Sequence, residues 1–132
     1  MRAALAMELE RPDRPPVGLW GHSFLDEWSP RRLAAATVAA QRRYGWDFVK
    51  LQPRATCFAE ALGSRYRPSG DRLVRPVLER QAVEAVADWE RIAAADPAAL
   101  AASPPLADQV ETVGRVASEL GPSIPVIQTV FS

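Results

Sequence analysis

The chain has 132 residues, of which 48% are hydrophobic and 24% charged, and its formal net charge at pH 7 is zero. This length suits one modest domain, and the balanced charge argues against a nucleic-acid or anionic-membrane partner. A single cysteine, Cys57, excludes an internal disulfide, and no apolar run approaches the roughly 18 residues of a membrane span. We therefore expect a cytoplasmic protein. One lysine beside fifteen arginines, with abundant alanine, indicates a GC-rich bacterial genome.

The amino-terminal third of the chain predicts a strand followed by a helix. Residues 1–14 form a loose opening segment, and the apolar run PPVGLWG at 15–21 predicts the first strand. The helix that follows has clear boundaries. Ser29 is a suitable N-cap, Pro30 fits the first helical position, and Gly45 is placed to end the helix in a left-handed cap.

A second strand, DFVKLQP at 47–53, follows this helix closely and ends at a proline. Strand, helix and strand make a βαβ unit, which implies a parallel pair joined by a right-handed crossover. A long insertion comes next, with turns, an extended arm at RLVRPVL and a partly helical stretch within 79–95.

The carboxyl-terminal part repeats the same design. After a loop or single helical turn at DPAALAASPP, Ser103 and Pro104 begin a second helix. The ending IPVIQTVF is apolar on both faces and predicts a third strand, buried on both sides, that finishes near Ser132. The second helix carries an apolar stripe at helical spacing, formed by Leu106, Val110, Val113, Ala117 and Leu120.

This order of elements predicts an α/β fold with parallel strands. Three strands are present, whereas a (β/α)8 barrel has eight strands and typically about 250 residues. The chain is therefore either a small open α/β domain or the first portion of a barrel.

Candidate site residues follow from the strand ends, because ligands of parallel α/β folds meet the carboxyl ends of the strands. His22, after the first strand, is a candidate acid–base group, or alternatively a loop histidine that caps a turn. Lys50 lies within an apolar strand, so it either faces a lumen or extends along an edge, and a structural ion pair is the alternative. Asp26 and Glu60 are candidate acidic partners for either residue.

Three further residues are candidates for substrate binding: Gln52, Arg54 and Gln128. Arg54 is suited to a carboxylate because its guanidinium can bind one through two hydrogen bonds. Cys57 reads as a packed residue, and no spacing of Cys and His predicts a metal site. No glycine-rich nucleotide motif occurs, so we expect no cofactor within this chain.

Several segments taken together resemble the amino-terminal part of the uroporphyrinogen decarboxylase superfamily. They are RPPVGLWGHSF, SPRRLAAATVAAQRRYGWDFVKLQP, EALG and IPVIQTVFS. The resemblance implies that residues 1–132 are one partial domain, the amino-terminal portion of a (β/α)8 barrel. It implies a tetrapyrrole carboxy-lyase of porphyrin biosynthesis, which acts without a cofactor. The alternative within the superfamily is a corrinoid-dependent methyltransferase, which uses zinc.

The sequence departs from the decarboxylases at two places. Their R-Q-A-G-R-Y segment, whose arginines hold substrate carboxylates, corresponds to GHSFLD at 21–26, which has no arginine. Their essential aspartate corresponds to the neighbourhood of Arg54. The zinc ligands of the methyltransferases would lie beyond residue 132. The substrate implied is a carboxylated tetrapyrrole or a corrinoid-linked molecule.

A barrel with three strands would expose strand edges, so we expect a truncated or split protein that is inactive alone. It would then need a complementing chain or a homodimer. The alternative of another class is a non-catalytic α/β binding or oligomerisation module.

Overall fold

A computed structural model describes residues 2–130 of the protein. Besides a 3₁₀ turn at Asp26–Trp28, its helices are α1 (Arg2–Met7), α2 (Pro30–Tyr44), α3 (Cys57–Ala61), α4 (Val86–Ala93), α5 (Pro97–Ala101) and α6 (Pro104–Leu120). Its strands are β1 (Val49–Leu51), β2 (Arg65–Arg67), β3 (Val77–Arg80) and β4 (Val126–Gln128). Within residues 2–130, no helix has the length and apolar character needed to cross a bilayer.

Helix α2 has the boundaries that its local sequence predicts. The Ser29 hydroxyl accepts a hydrogen bond from the Arg32 N–H at 3.4 Å, and Pro30 is the first helical residue. At the other end Gly45 has φ 61°, and its N–H donates to the carbonyl of Gln41. A left-handed residue at this position favours glycine, because a Cβ would crowd the backbone.

Strands β1 and β4 pair in parallel, with Val49 opposite Val126 and Leu51 opposite Gln128. This confirms the parallel pairing expected between the second and third predicted strands. Each strand has only three residues, fewer than the patterns predicted. The end of the third predicted strand, Phe131 and Ser132, lies outside the described residues.

The prediction of a strand at 15–21 is wrong, because this segment has no strand pairing. Pro15 and Pro16 have no N–H to donate to a ladder. The next N–H, that of Val17, donates to the Asp47 carboxylate at 2.9 Å, while the Val17 carbonyl accepts from the Asp47 N–H at 2.8 Å. The segment therefore lies beside the start of β1, where a Cβ at Gly18 would come within 2.7 Å of the Phe48 ring.

The opening residues are more ordered than a loose segment. Helix α1 buries Ala3, and the Arg2 guanidinium donates to Asp13 at 2.6 Å and to Asp47 at 3.1 Å. Arg14 also donates to Asp47, at 2.6 Å. Asp47 thus holds the amino-terminal segment against the sheet.

The insertion forms a small antiparallel pair of its own. Strands β2 and β3 pair with a register irregularity at Arg65 and Tyr66. The extended arm of the prediction corresponds in part to β3, and the predicted helix within 79–95 is confirmed only over α4. Helix α4 begins where the Asp88 carboxylate accepts from the N–H groups of Glu84 and Ala85, both at 2.9 Å.

Helix α6 begins and ends as predicted, but its buried face is rotated from the predicted stripe. Val110 is 73% exposed, whereas Thr112 and Val116 are buried and Val113 and Leu120 pack at the edge of the core. A threonine can be buried here because its hydroxyl donates to the Asp108 carbonyl at 2.7 Å. The face that packs is set by contact with α2 and α3, which the period of α6 alone does not reveal.

One hydrophobic core joins the parallel strands to the helices. It consists of Leu33, Ala34, Val38, Val49, Leu51 and Val116. The side chains of Val49 and Leu51 face the helices. Because side chains alternate along a strand, Lys50 lies on the opposite face of the sheet, as does its register partner Ile127. In a barrel that second face is turned toward the lumen.

Two strand residues of similar chemistry test this assignment of faces. Leu51→Ala should lower the free energy of unfolding by about 2–5 kcal/mol, because Leu51 is 1% exposed. Ile127→Ala, at a side chain 48% exposed, should cost about 1 kcal/mol or less. Urea unfolding followed by circular dichroism measures both, and equal losses would contradict the assignment.

Asp47→Asn should destabilise the protein at neutral pH, because the carboxylate accepts from Val17, Arg14 and Arg2. The Val17 N–H, opposed by burial and helped by both arginines, lowers the pKa of Asp47 from 3.8 to about 2. A lowered pKa in the folded state means that the stabilisation is complete above the unfolded pKa. It disappears as the pH falls toward the folded value.

The difference in unfolding free energy between wild type and Asp47→Asn should therefore shrink between about pH 5 and about pH 2. Urea titrations at a series of pH values measure this difference. A difference that stays constant down to about pH 2 would contradict the role of Asp47.

Candidate active-site cleft

A cleft of about 220 Å³ lies between residues 19–23, helix α2 and strand β1. The predicted site residues His22, Lys50 and Gln52 all line it. The side chains of Leu19, Trp20, Leu33, Ala36, Trp46 and Val49 supply apolar walls. A few polar groups in a mostly apolar cleft are typical of a small-molecule site.

His22 is held by contacts on several sides. Its Nδ1 lies 2.6 Å from the Glu27 Oε1, and its ring stacks on Phe24 with centroids 4.9 Å apart. The Trp20 ring meets it edge-on at 6.3 Å. These contacts fix the orientation of an imidazole that borders the cleft.

The acidic partner of His22 is Glu27. The sequence pattern did not identify Glu27 as a candidate. Its side chain is 0% exposed, and its two oxygens also accept from the Ser23 N–H at 3.2 Å and the Ala55 N–H at 3.1 Å. The available signal was an acid five residues after the histidine in a short loop. The carboxylate connects this loop to the backbone just beyond β1.

Asp26, one of the two acids proposed as partners, serves another network. It accepts from the Ser23 hydroxyl and from Arg32 at 3.0 Å, and it lies 3.2 Å from the Arg72 guanidinium. Burial raises the pKa of Asp26, but the hydrogen bonds from Ser23 and Arg32 outweigh it and the pKa is lowered. Asp26 therefore stays ionised and ties the loop to α2 and the insertion.

Lys50 has an aromatic neighbour in place of an acidic one. Its Nζ lies 4.5 Å from the centre of the Trp20 ring, a cation–π contact. Within the part of the chain that the structure describes, no carboxylate forms an ion pair with Lys50. Neither Asp26 nor Glu60 is its partner, so the ammonium group remains available to an anion in the cleft.

Gln52 lines the same cleft and has an unsatisfied polar atom. The residue is 7% exposed, and its Oε1 is buried without a hydrogen-bond partner among residues 2–130. Gln128 does not line this cleft; its Nε2 donates to the Thr129 carbonyl at 2.9 Å, and its Oε1 is also unpaired. Buried polar atoms are rarely left unpaired, so each is a candidate ligand contact.

Arg54 lies apart from this group. Its side chain is buried between Glu60, at 3.1 Å, and Asp108, at 3.5 Å, and its guanidinium stacks over Trp28 at 5.1 Å. The Nε–H is not aligned on the Glu60 oxygen, so this contact is ionic and no hydrogen bond forms. Arg54 therefore joins the turn after β1 to α3 and α6.

A second depression, of about 250 Å³, lies within the insertion and contains Arg80, Arg91 and Asp88. Its polar groups already have partners, since Arg91 donates to the Ala82 carbonyl at 2.8 Å and Asp88 accepts two backbone N–H groups. This depression therefore has fewer unpaired polar groups for a ligand than the cleft beside β1.

No group of three or more His, Cys, Asp or Glu side chains that could hold a metal ion occurs within residues 2–130. Cys57 is buried, and that burial raises the pKa of its thiol. Both features are those of a packed, unreactive cysteine.

Parallel strands covered by helices on one face are the construction of a (β/α)8 barrel. The chain belongs to the uroporphyrinogen decarboxylase family, because the family model described as Uroporphyrinogen decarboxylase (URO-D) matches residues 2–132. Among curated proteins, none matches the sequence significantly.

A solved structure has the same fold, a methyltransferase from Methanosarcina mazei, with a TM-score of 0.71 and 20% sequence identity. The alignment covers 96% of this chain and 40% of that protein. The chain therefore spans two fifths of the length of this structural relative. Its fold is that of a partial barrel.

Arg54→Gln should destabilise the protein by about 3 kcal/mol, because it leaves the carboxylates of Glu60 and Asp108 without their cation. Arg115→Gln is the matched control: its pair with Glu111 is exposed and should be worth less than about 0.5 kcal/mol. Thermal and urea unfolding measure both. If both variants lose the same small amount of unfolding free energy, the buried ion pairs of Arg54 are not important for stability. That result would favour the substrate-binding role that the sequence predicts for Arg54.

Proposed function

We propose that this chain forms one wall of the active site of an enzyme of the uroporphyrinogen decarboxylase family, and that its cleft binds an anionic ligand. The observation that carries the proposal is the cleft that brings His22, Lys50 and Gln52 together. Lys50 and Gln52 each bring an unpaired polar group to it, a cation and a hydrogen-bond acceptor.

The charge of Lys50 supports an anionic ligand. An anion about 4 Å from an ammonium group gains about 4 kcal/mol at an effective dielectric constant of about 20. Three buried or half-buried carboxylates, those of Asp26, Asp47 and Glu60, are each matched to an arginine. At Lys50 a ligand carboxylate would complete the same pattern.

Two activities of the family are candidates for the whole enzyme. A carboxy-lyase of porphyrin biosynthesis must hold a tetrapyrrole that carries many carboxylates. Residues 21–26 contain no arginine, Arg54 pairs with Glu60 and Asp108, and Arg32 and Arg72 pair with Asp26. Among the residues that line the cleft, Lys50 is then the cation left, which favours the methyltransferase alternative; the structural relative is named as a methyltransferase.

A methyltransferase of this kind would use zinc and a corrinoid. The described residues do not fit a zinc site, since they include no suitable cluster of ligands. We therefore assign both groups, and the opposite wall of the cleft, to further βα units, in a longer or complementing chain or a second copy of this one. A non-catalytic binding module remains the alternative if no such units join this chain.

The anionic ligand can be tested with the chain itself. Acetate should shift the indole N–H resonances of Trp20 and Trp46, which line the cleft, whereas the neutral acetamide should not. Lys50→Gln should weaken acetate binding about tenfold, because a hydrogen bond to a charged group is worth about 1.5 kcal/mol. Arg115→Gln, which removes an exposed positive charge on α6, is the control.

Equal responses to acetate and acetamide, or an unchanged affinity in Lys50→Gln, would contradict the proposal. Uroporphyrin III then separates the two activities. Lys50-dependent binding of uroporphyrin would support the carboxy-lyase, whereas binding of acetate without binding of uroporphyrin would support the methyltransferase.

A further inference from the structure

The structure joins His22 to a buried carboxylate beside the cleft. We propose that His22 is a catalytic proton acceptor for a hydroxyl group of the ligand, and that Glu27 is its positioning residue. This inference rests on the proposed function for the place of the ligand. The arrangement of the two side chains can be tested without any ligand.

Glu27 determines which nitrogen of His22 carries the hydrogen. An ionised carboxylate only accepts hydrogen bonds, so the Nδ1 at 2.6 Å from Oε1 must be the protonated nitrogen. The lone pair of the neutral ring is then on Nε2. The N–H groups of Ser23 and Ala55 hold the carboxylate in place, at 3.2 Å and 3.1 Å.

The Nε2 atom is left for the ligand. Stacking on Phe24 fixes the plane of the ring, and the imidazole borders the cleft together with Lys50 and Gln52. Among residues 2–130 no side chain or backbone group forms a hydrogen bond to Nε2. A histidine whose far nitrogen is held by a carboxylate is the arrangement used for general-base catalysis.

The proposed step moves one proton and needs no other reactant. The O–H bond of the ligand breaks, the proton forms a bond to Nε2, and the electron pair stays on the ligand oxygen. Glu27 stabilises the resulting imidazolium through Nδ1–H, and Lys50, which lines the same cleft, supplies a positive charge for the new oxyanion. The ligand class is a hydroxy acid, with its carboxylate and hydroxyl shared between Lys50 and His22.

His22 is the single histidine of the chain, so nuclear magnetic resonance of a histidine-labelled, tag-free protein reads it without overlap. At about pH 8, where an ordinary histidine is neutral, Nδ1 should resonate as a protonated nitrogen and Nε2 as an unprotonated one. Glu27→Leu, which removes the acceptor for Nδ1–H, should remove this preference. Asp26→Asn, a buried carboxylate of the same turn that does not contact His22, should keep it.

A protonated Nε2 in the wild-type protein would overturn the inference, and this measurement needs no variant to fold. An unchanged tautomer in a folded Glu27→Leu would also overturn it, as would loss of the preference in a folded Asp26→Asn. Thermal unfolding of each variant shows which of them are folded.

The prediction that the ligand is a hydroxy acid is tested by comparing the affinities of glycolate and acetate. Glycolate should bind about fivefold more tightly than acetate, the value of one hydrogen bond of about 1 kcal/mol, and His22→Gln should abolish this advantage. Equal affinities for glycolate and acetate would overturn the role of the hydroxyl. Absence of any acetate binding, with the tautomer as expected, would contradict the anionic ligand of the proposed function and leave the His22–Glu27 arrangement intact.

Discussion

The buried carboxylate of Glu27 is the interaction on which the candidate site depends. An ionised group removed from water is costly unless hydrogen bonds replace its hydration, and Glu27 obtains them from His22, Ser23 and the backbone N–H of Ala55. The first two donors belong to the loop after the amino-terminal segment and the third to the turn after β1. Satisfying one charge therefore brings the histidine to the strand end.

Three buried or half-buried ionic residues differ in their contacts from two residues of the cleft. Asp26, Asp47 and Arg54 each have opposite charges within ion-pair distance and connect segments far apart in sequence. Lys50 and Gln52, beside the same strand, have a polar atom without such a partner. Because Asp26, Asp47 and Arg54 have partners of opposite charge, the unpaired groups of Lys50 and Gln52 support the proposed ligand site.

Much of the fold follows from local signals. Ser29, Pro30 and Gly45 determine the ends of α2, and the apolar runs that became β1 and β4 predict a parallel pair. The segment at 15–21 has the composition of a strand, but Pro15 and Pro16 have no N–H group and the Val17 N–H is bound to the Asp47 carboxylate, so its first three residues offer no N–H to a ladder. The apolar stripe predicted for α6 is only partly the buried face of the helix. Contact with α2 and α3 decides which side of α6 is buried.

The sequence by itself determined the ends of α2 and α6, the parallel pair of β1 and β4, and the place of Lys50 and Gln52 on or just after β1, since capping, periodicity and chain order are properties of neighbouring residues. Only the tertiary structure decided the partners. Asp26 and Glu27 are adjacent acids, yet one binds arginines and the other binds the histidine. The position of Glu27 depends on a hydrogen bond from the backbone N–H of Ala55, 28 residues further along the chain. No local sequence pattern contains this information.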